Sequence, residues 1–281
     1  MVVPWGPLKG LSRMSILTFG RVVLTVALAM AAAGAGAAEI VSHRGFYGLK
    51  LSSSRQGGAF VDARGGLDMA IEKTCDGWLL TQNMAMELAT ARGDQVRQAV
   101  RYSGWESLDG ARYRFVSKTR TDRNEKDAKG TARVGVADKP GEATFENSET
   151  KSVALPPGTR FPVAHALWLI ERALAGDHQA PSVVFDGTDG EGPQRVATFI
   201  GRKIAAKDHG RGAIGPLADQ AGWTMRLAFF PEGGTEASPE YEMEILQLAN
   251  GVAPRMVIDY RDFSVVLEIQ KIESIPAPSC R

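Results

Sequence analysis

A mostly β protein is predicted for residues 39–281: an antiparallel sheet that curls or closes on itself, with one main α-helix. Three observations predict it. Apolar and polar residues alternate with period two through much of the chain. Glycine-bearing turn signals separate the alternating runs, and only one segment changes to a helical period.

The strand-like runs come in order. Residues 44–51 open the series, followed by 78–88, 112–116, 183–186, 195–204 and 224–230. Further on, Tyr241, Met243 and Ile245 alternate with Glu242 and Glu244. Phe263, Val265, Leu267 and Ile269 then alternate with Ser264, Val266 and Glu268. A run of this kind has one buried and one wet face. The turn signals are Asp76-Gly77, Asp109-Gly110, Pro156-Pro157-Gly158, Asp186-Gly187 and Glu232-Gly233-Gly234. Glycine accepts the positive φ of tight hairpins, so neighbouring runs should pair antiparallel, and many locally joined strands imply a curled sheet.

The helix is predicted over Pro162–Ala175, where Val163, Leu167, Ile170 and Leu174 recur on one face. Pro162 suits a first turn and Gly176 is a natural stop. His165 and Trp168 read as core or capping residues. His43, Arg44, Trp78, Trp105 and Asp109 also read as structural, with both tryptophans packed under hairpins, where a large ring buries much apolar area. A helix this short cannot fill a sheet of more than ten strands. Partial filling is expected, with a small cleft beside the helix lined by Leu167, Trp168 and Ile170 and, from the last run, Phe263 and Val265.

Composition narrows the class. The 281 residues carry 33 Lys+Arg against 32 Asp+Glu, a formal charge of +1, which argues against nucleic-acid binding through bulk basicity. Hydrophobic residues make up 44% and charged residues 23%, ordinary values for a folded chain. Residues 1–38 hold Lys9, Arg13 and Arg21, then an uncharged run from Val22 to Ala33, then Gly34-Ala35-Gly36-Ala37-Ala38. This is the three-part pattern of a secretory signal, with cleavage after Ala37 or Ala38. The apolar run is shorter than the roughly 20 residues of a spanning helix. No twin-Arg pair precedes it and no lipidation cysteine follows it. Translation from Met14 would leave Arg21 as the positive end. The expected product is a soluble periplasmic chain of residues 39–281, not an integral membrane protein, with 30 basic and 32 acidic residues, a net of −2.

Export gives the two cysteines, Cys75 and Cys280, a meaning: an even count in an oxidising compartment reads as a disulfide. Two free thiols or half of a metal site are the alternatives, and two cysteines with no neighbouring histidine make a poor zinc site. A bridge would pin the proline-rich tail Pro276-Ala277-Pro278, and chain entropy sets an upper value of ~5 kcal/mol for its contribution.

No recognised catalytic or nucleotide-binding motif occurs in residues 39–281. Ser148-Glu149-Thr150-Lys151 matches S-x-x-K, but in a polar, strand-like segment with no later K-T-G. His43, His165, His178 and His209 do not cluster in sequence. Residues 186–191 lack the spaced ligands and distant glutamate of an EF-hand loop. The mixed charges of residues 118–129 read as an exposed hairpin or loop, not a nucleic-acid patch. No cofactor, metal or catalytic residue is nominated.

Several patterns together resemble a known family. They are His43-Arg44-x-x-Tyr47-x-Leu49-x-Leu51, Cys75-Asp76-Gly77-Trp78, and Trp105-Glu106-Ser107-Leu108-Asp109-Gly110-x-x-Tyr113-x-Phe115. Leu155-Pro156-Pro157-Gly158-Thr159-Arg160-Phe161-Pro162-x-x-His165 follows, then Asp186-Gly187 and the terminal Cys280. Over residues 40–281 the chain resembles the EipB family of alphaproteobacterial cell-envelope-integrity proteins. It departs from the family pattern in carrying Gly45 and Phe46 after His43-Arg44. The resemblance implies a periplasmic β-spiral, an antiparallel sheet rolled around a helix and closed by one disulfide, similar in shape to lipoprotein carriers of the LolA and LolB type. It implies a non-enzymatic factor maintaining the envelope by binding an envelope protein or cell-wall component. A carrier of a lipid or lipoprotein acyl chain is the alternative, and an unrecognised hydrolase a distant third.

Overall fold

A computed structural model of the protein describes residues 38–280, apart from 56–59, 123, 147–149, 189–191, 211 and 235–236. The expected leader, except Ala38, lies outside the described residues. So do Ser148 and Glu149 of the S-x-x-K match and the end of the 186–191 loop.

The strands are β1 (His43–Ser54), β2 (Phe60–Lys73), β3 (Gly77–Thr90), β4 (Gln95–Ser107), β5 (Arg112–Thr121), β6 (Asn124–Arg133), β7 (Gly141–Glu146), β8 (Thr150–Leu155) and β9 (Thr159–Arg160). Helix α1 (Pro162–Ala175) follows, then β10 (Ser182–Val184), β11 (Gln194–Ile204), a short α2 (Ala206–His209) and a 3₁₀ segment, Gly212–Ala218. The chain ends in β12 (Gly222–Pro231), β13 (Tyr241–Leu248), β14 (Arg255–Asp259) and β15 (Phe263–Ser274). All belong to one 15-stranded sheet, ordered β8-β7-β6-β5-β4-β3-β2-β1-β15-β14-β13-β12-β11-β10-β9. Every neighbouring pair is antiparallel except β9 with β10. First and last strands meet in the middle, Leu49 opposite Leu267. The edges β8 and β9 are joined by residues 156–158 but do not pair, so the rolled sheet stops just short of closure.

Helix α1 shows how the sheet and its contents hold each other. Pro162 occupies its first turn and Phe161 supplies no side-chain cap. The cap comes from β4: the Glu106 carboxylate accepts the backbone N–H groups of Val163 and Ala164, each at 2.8 Å. Gly176, at φ 84°, closes the other end in the left-handed conformation that glycine adopts without penalty. The buried helix residues are Val163, His165, Leu169, Ile170 and Ala173, an arc wider than the single stripe of a surface helix. Val163 and Ile170 pack with Ile71 and Trp78, whereas Leu169 and Ala173 pack with Val196, Trp223 and Met225. The single apolar face expected from the sequence is thus corrected to two. Leu174, which the helical period places on the apolar face, is 43% exposed.

Beside the helix, Tyr113, Phe115, Phe145, Phe161 and Phe185 form an aromatic core, with Tyr113 stacked on Phe161 at 4.8 Å and Phe115 edge-on to Phe145 at 5.2 Å. Small residues make room for the rings. The inward positions of β6 are Ala128, Gly130 and Ala132, and a Cβ on Gly130 would meet Phe115 at 2.8 Å. Gly187 combines φ 72° with a still closer approach to Phe115. The carbonyl of Asp186 accepts the hydroxyls of Tyr113 and Tyr102 at 3.1 and 3.4 Å, tying the turn after β10 to the wall formed by β4 and β5.

Cys75 and Cys280 form a disulfide, with Cα atoms 5.5 Å apart. The β2–β3 turn and the tail reach the same end of the sheet because His43 pairs with both Ile71 and Ser274. A proline-rich tail that would otherwise fray is held there.

Candidate functional site

The helix leaves one end of the concave face without a plug. There Tyr47, Leu49, Met86, Leu88, Val265 and Leu267 form a buried cluster that contains no residue of α1. Eleven further apolar side chains pack around it yet remain only partly buried, among them Leu51, Phe60, Met69, Met84, Ile258 and Phe263. They come from β1, β2, β3, β4, β13, β14 and β15 and from the β14–β15 turn. Phe263 makes an edge-to-face contact with Phe60 at 5.0 Å and stacks with Tyr260 at 5.2 Å. Met69, Met84, Met86 and Met256 contribute flexible, polarisable side chains, which adapt to apolar surfaces of different shape. Polar groups are few. Burial raises the pKa of the Tyr47 and Tyr260 phenols, so both stay neutral in ordinary buffers. This apolar mouth can take up an apolar group by excluding water, at roughly 0.8 kcal/mol per buried methylene.

The cleft expected from the sequence is distributed differently. Ile170 and Leu167 pack toward β2 and β3, Trp168 lies on the opposite side of the helix, and Phe263 and Val265 belong to the mouth. Ile170 and Val265 are fully enclosed. The five residues do not converge on one cleft, because the helix is packed on two sides and fills its own end. Phe263 alone of the five combines an open apolar edge with a place in the mouth. The half-buried methionines carried no periodic signal that marked them out.

The other nominated residues take structural places. His43 is buried, its Nδ1 2.8 Å from the Val41 carbonyl, and burial lowers its pKa. Arg44 pairs with Asp68 on the outer surface. Trp78 is buried as expected. Trp105 is not: it lies half-exposed on the outer face, because alternation along β4 turns Glu106 inward and its neighbour outward. Asp109 closes the β4–β5 turn by accepting the Ala111 N–H at 3.0 Å. In the departure from the family pattern, Gly45 lies under the Tyr47 ring, and Phe46 faces outward beneath the Arg44 guanidinium at 4.9 Å.

One pair has the residue types of a nucleophile and its base: Ser182 Oγ and His165 Nε2 are 3.0 Å apart. Burial, assisted by the nearby positive Arg160, pulls the imidazole pKa down to about 3, which makes it a feeble base at neutral pH. The ring stacks on Trp168, which also lies 4.0 Å from the Arg160 guanidinium. Among the described residues no three His, Cys, Asp or Glu side chains gather in a group that could hold a metal ion. None of the described helices is long and apolar enough to cross a membrane.

A rolled sheet with a capped internal helix, a disulfide to the penultimate residue and an apolar mouth can be set against known proteins. The model of the EipB-like family matches residues 34–276. The chain belongs to that family. It is 25% identical over 260 residues to the cell envelope integrity protein EipB of Brucella abortus (strain 2308), a match spanning 90% of each chain. It also superposes on the crystal structure of a β-barrel-like protein of a domain of unknown function, DUF1849, from Brucella abortus. The TM-score is 0.77 and the identity 22%, over 85% of this chain and 100% of that one. At that identity the likeness establishes a shared fold. The family motifs now have physical places: Glu106 caps the helix, Tyr113 and Phe115 build the aromatic core, and Pro156-Pro157-Gly158 joins the two sheet edges.

Proposed function

We propose that this chain is an exported, non-enzymatic factor that maintains cell-envelope integrity, and that it works by holding an apolar group, an acyl chain of a lipid or lipoprotein, in its mouth. The envelope role rests on family membership and on the relative named for envelope integrity. Export to the periplasm rests on the leader-like residues 1–38, cut after Ala37 or Ala38, and on the disulfide.

The observation that carries the acyl-chain reading is the ring of half-buried apolar side chains around Phe263 and Met84, at the end of the sheet that the helix does not fill. Interiors pack densely, and a large apolar surface left partly wet has a use. Binding of an envelope protein or cell-wall component at the outer surface is the second reading, favoured by the close packing that leaves Ile170 and Val265 fully enclosed. Native mass spectrometry of protein taken from the periplasm separates the two. A co-purifying mass that organic extraction removes, together with uptake of a fluorescent acyl probe by the extracted protein, is the expected result. A bare mass and no probe uptake would leave outer-surface binding as the mode of action.

A further inference from the structure

The outer face of β4 and β5 carries an unbalanced charge. Alternation sends Arg97 and Arg101 of β4 and Arg112, Arg114, Lys118 and Arg120 of β5 outward. The only acid in either strand, Glu106, points inward and is buried. Adjacent strands neutralise part of this set: Glu87 pairs with Arg97, Asp127 with Lys118 and Glu125 with Arg120. Arg101, Arg112 and Arg114 are exposed and form no ion pair among the described residues. The exposed Asp109 of the adjoining turn lies near Arg112, and Asp68, already paired with Arg44, lines the same outer groove as Arg101.

Apolar side chains lie within the same patch. Trp105 rests over bare glycine backbone, since a Cβ on Gly77 would meet its indole nitrogen at 2.7 Å. The guanidinium groups of Arg114 and Arg112 lie 5.0 and 5.7 Å from its ring centre. Val116, between Arg114 and Lys118 along β5, is 39% exposed, and Leu108 in the turn is 50% exposed. An acidic protein partner would be served by the charges alone. Unpaired arginines at the level of an indole and two aliphatic side chains match the boundary of a bilayer, where phosphates lie just above hydrocarbon. There guanidinium binds phosphate in a planar fork, and tryptophan favours the interface.

We infer that the outer face of β4 and β5 docks this protein onto an anionic phospholipid surface. The patch lies on the outer wall and is independent of what the mouth holds, so either reading can fail without the other.

Co-sedimentation of the purified protein with vesicles of phosphatidylcholine, with and without phosphatidylglycerol, tests the docking. Binding is expected only to the anionic vesicles and should be lost in high salt. Each basic residue near such a surface contributes about fivefold in affinity, so R101Q/R114Q should weaken binding roughly 25-fold. Both side chains are exposed, and an unchanged melting curve will show that the variant folds. R226Q, on the outer face of β12, should bind like the parent. Equal binding to neutral vesicles, or an unaffected R101Q/R114Q variant, would overturn the inference. Binding to soluble polyglutamate without binding to vesicles would overturn it in favour of an acidic protein partner.

Discussion

Glu106 offers the sharpest test of how helix and sheet are joined. It is 2% exposed, and burial raises its pKa from 4.5 to about 7 even though two backbone N–H groups oppose the rise. Between those pH values the folded protein keeps a proton that the unfolded chain has released. Stability from this group is therefore greatest below pH 4.5 and falls as pH rises to about 7. The interval corresponds to about 3 kcal/mol. Glu106→Gln keeps the shape and removes the titration, leaving one helix N–H poorly partnered at every pH. That cost, about 1–3 kcal/mol, is a constant offset. The difference in stability between variant and parent should move by about 3 kcal/mol in favour of the variant from pH 4.5 to 7. For a chain of this size that is roughly 6–12 °C in Tm. Melting curves for both proteins across this range, followed by circular dichroism, measure it. Parallel profiles would refute the reasoning. Divergence in the opposite direction would mean that the helix dipole and the two N–H donors outweigh burial.

Two further outcomes follow from packing. Trp78→Ala should cost ~3–5 kcal/mol, as expected for a buried ring, whereas Trp105→Ala should cost about 1 kcal/mol from partial burial and two cation–π contacts; equal shifts in Tm would contradict their placement. Reduction of Cys75–Cys280 should lower stability by at most ~5 kcal/mol, and alkylation without reductant should label neither cysteine in protein isolated from the periplasm; labelling at both would contradict the bridge.

The architecture was legible wherever side-chain period and turn chemistry agreed. β1, β3, β5, β11, β12, β13 and β15 all contain runs read from alternation, and the Asp-Gly turns fall between paired strands. β6 was legible only as part of the exposed hairpin or loop read over 118–129, because its inward residues are Ala128, Gly130 and Ala132, too small to register as an apolar alternation. Those residues are small because aromatic rings from β5 and β7 occupy the space, a fact of tertiary contact. The cap on α1 shows the same limit. Phe161 at the N-cap offers no side-chain acceptor for the first-turn N–H groups, and nothing local identified a carboxylate 57 positions from Val163 in sequence.

The sequence by itself determined the class of fold, the site of the main helix, the cysteine pair and the resemblance to one family, since each depends on local spacing or on composition. Only the tertiary structure decided what the interior does. Whether Leu167, Ile170, Phe263 and Val265 share a cleft depends on how far the sheet curls and on which end the helix occupies. Curl is set by the summed twist of fifteen strands and the volumes packed inside them, and no single segment encodes that sum. The helix went to the end where Glu106 satisfies its free N–H groups, and the apolar residues of the opposite end were left half-exposed.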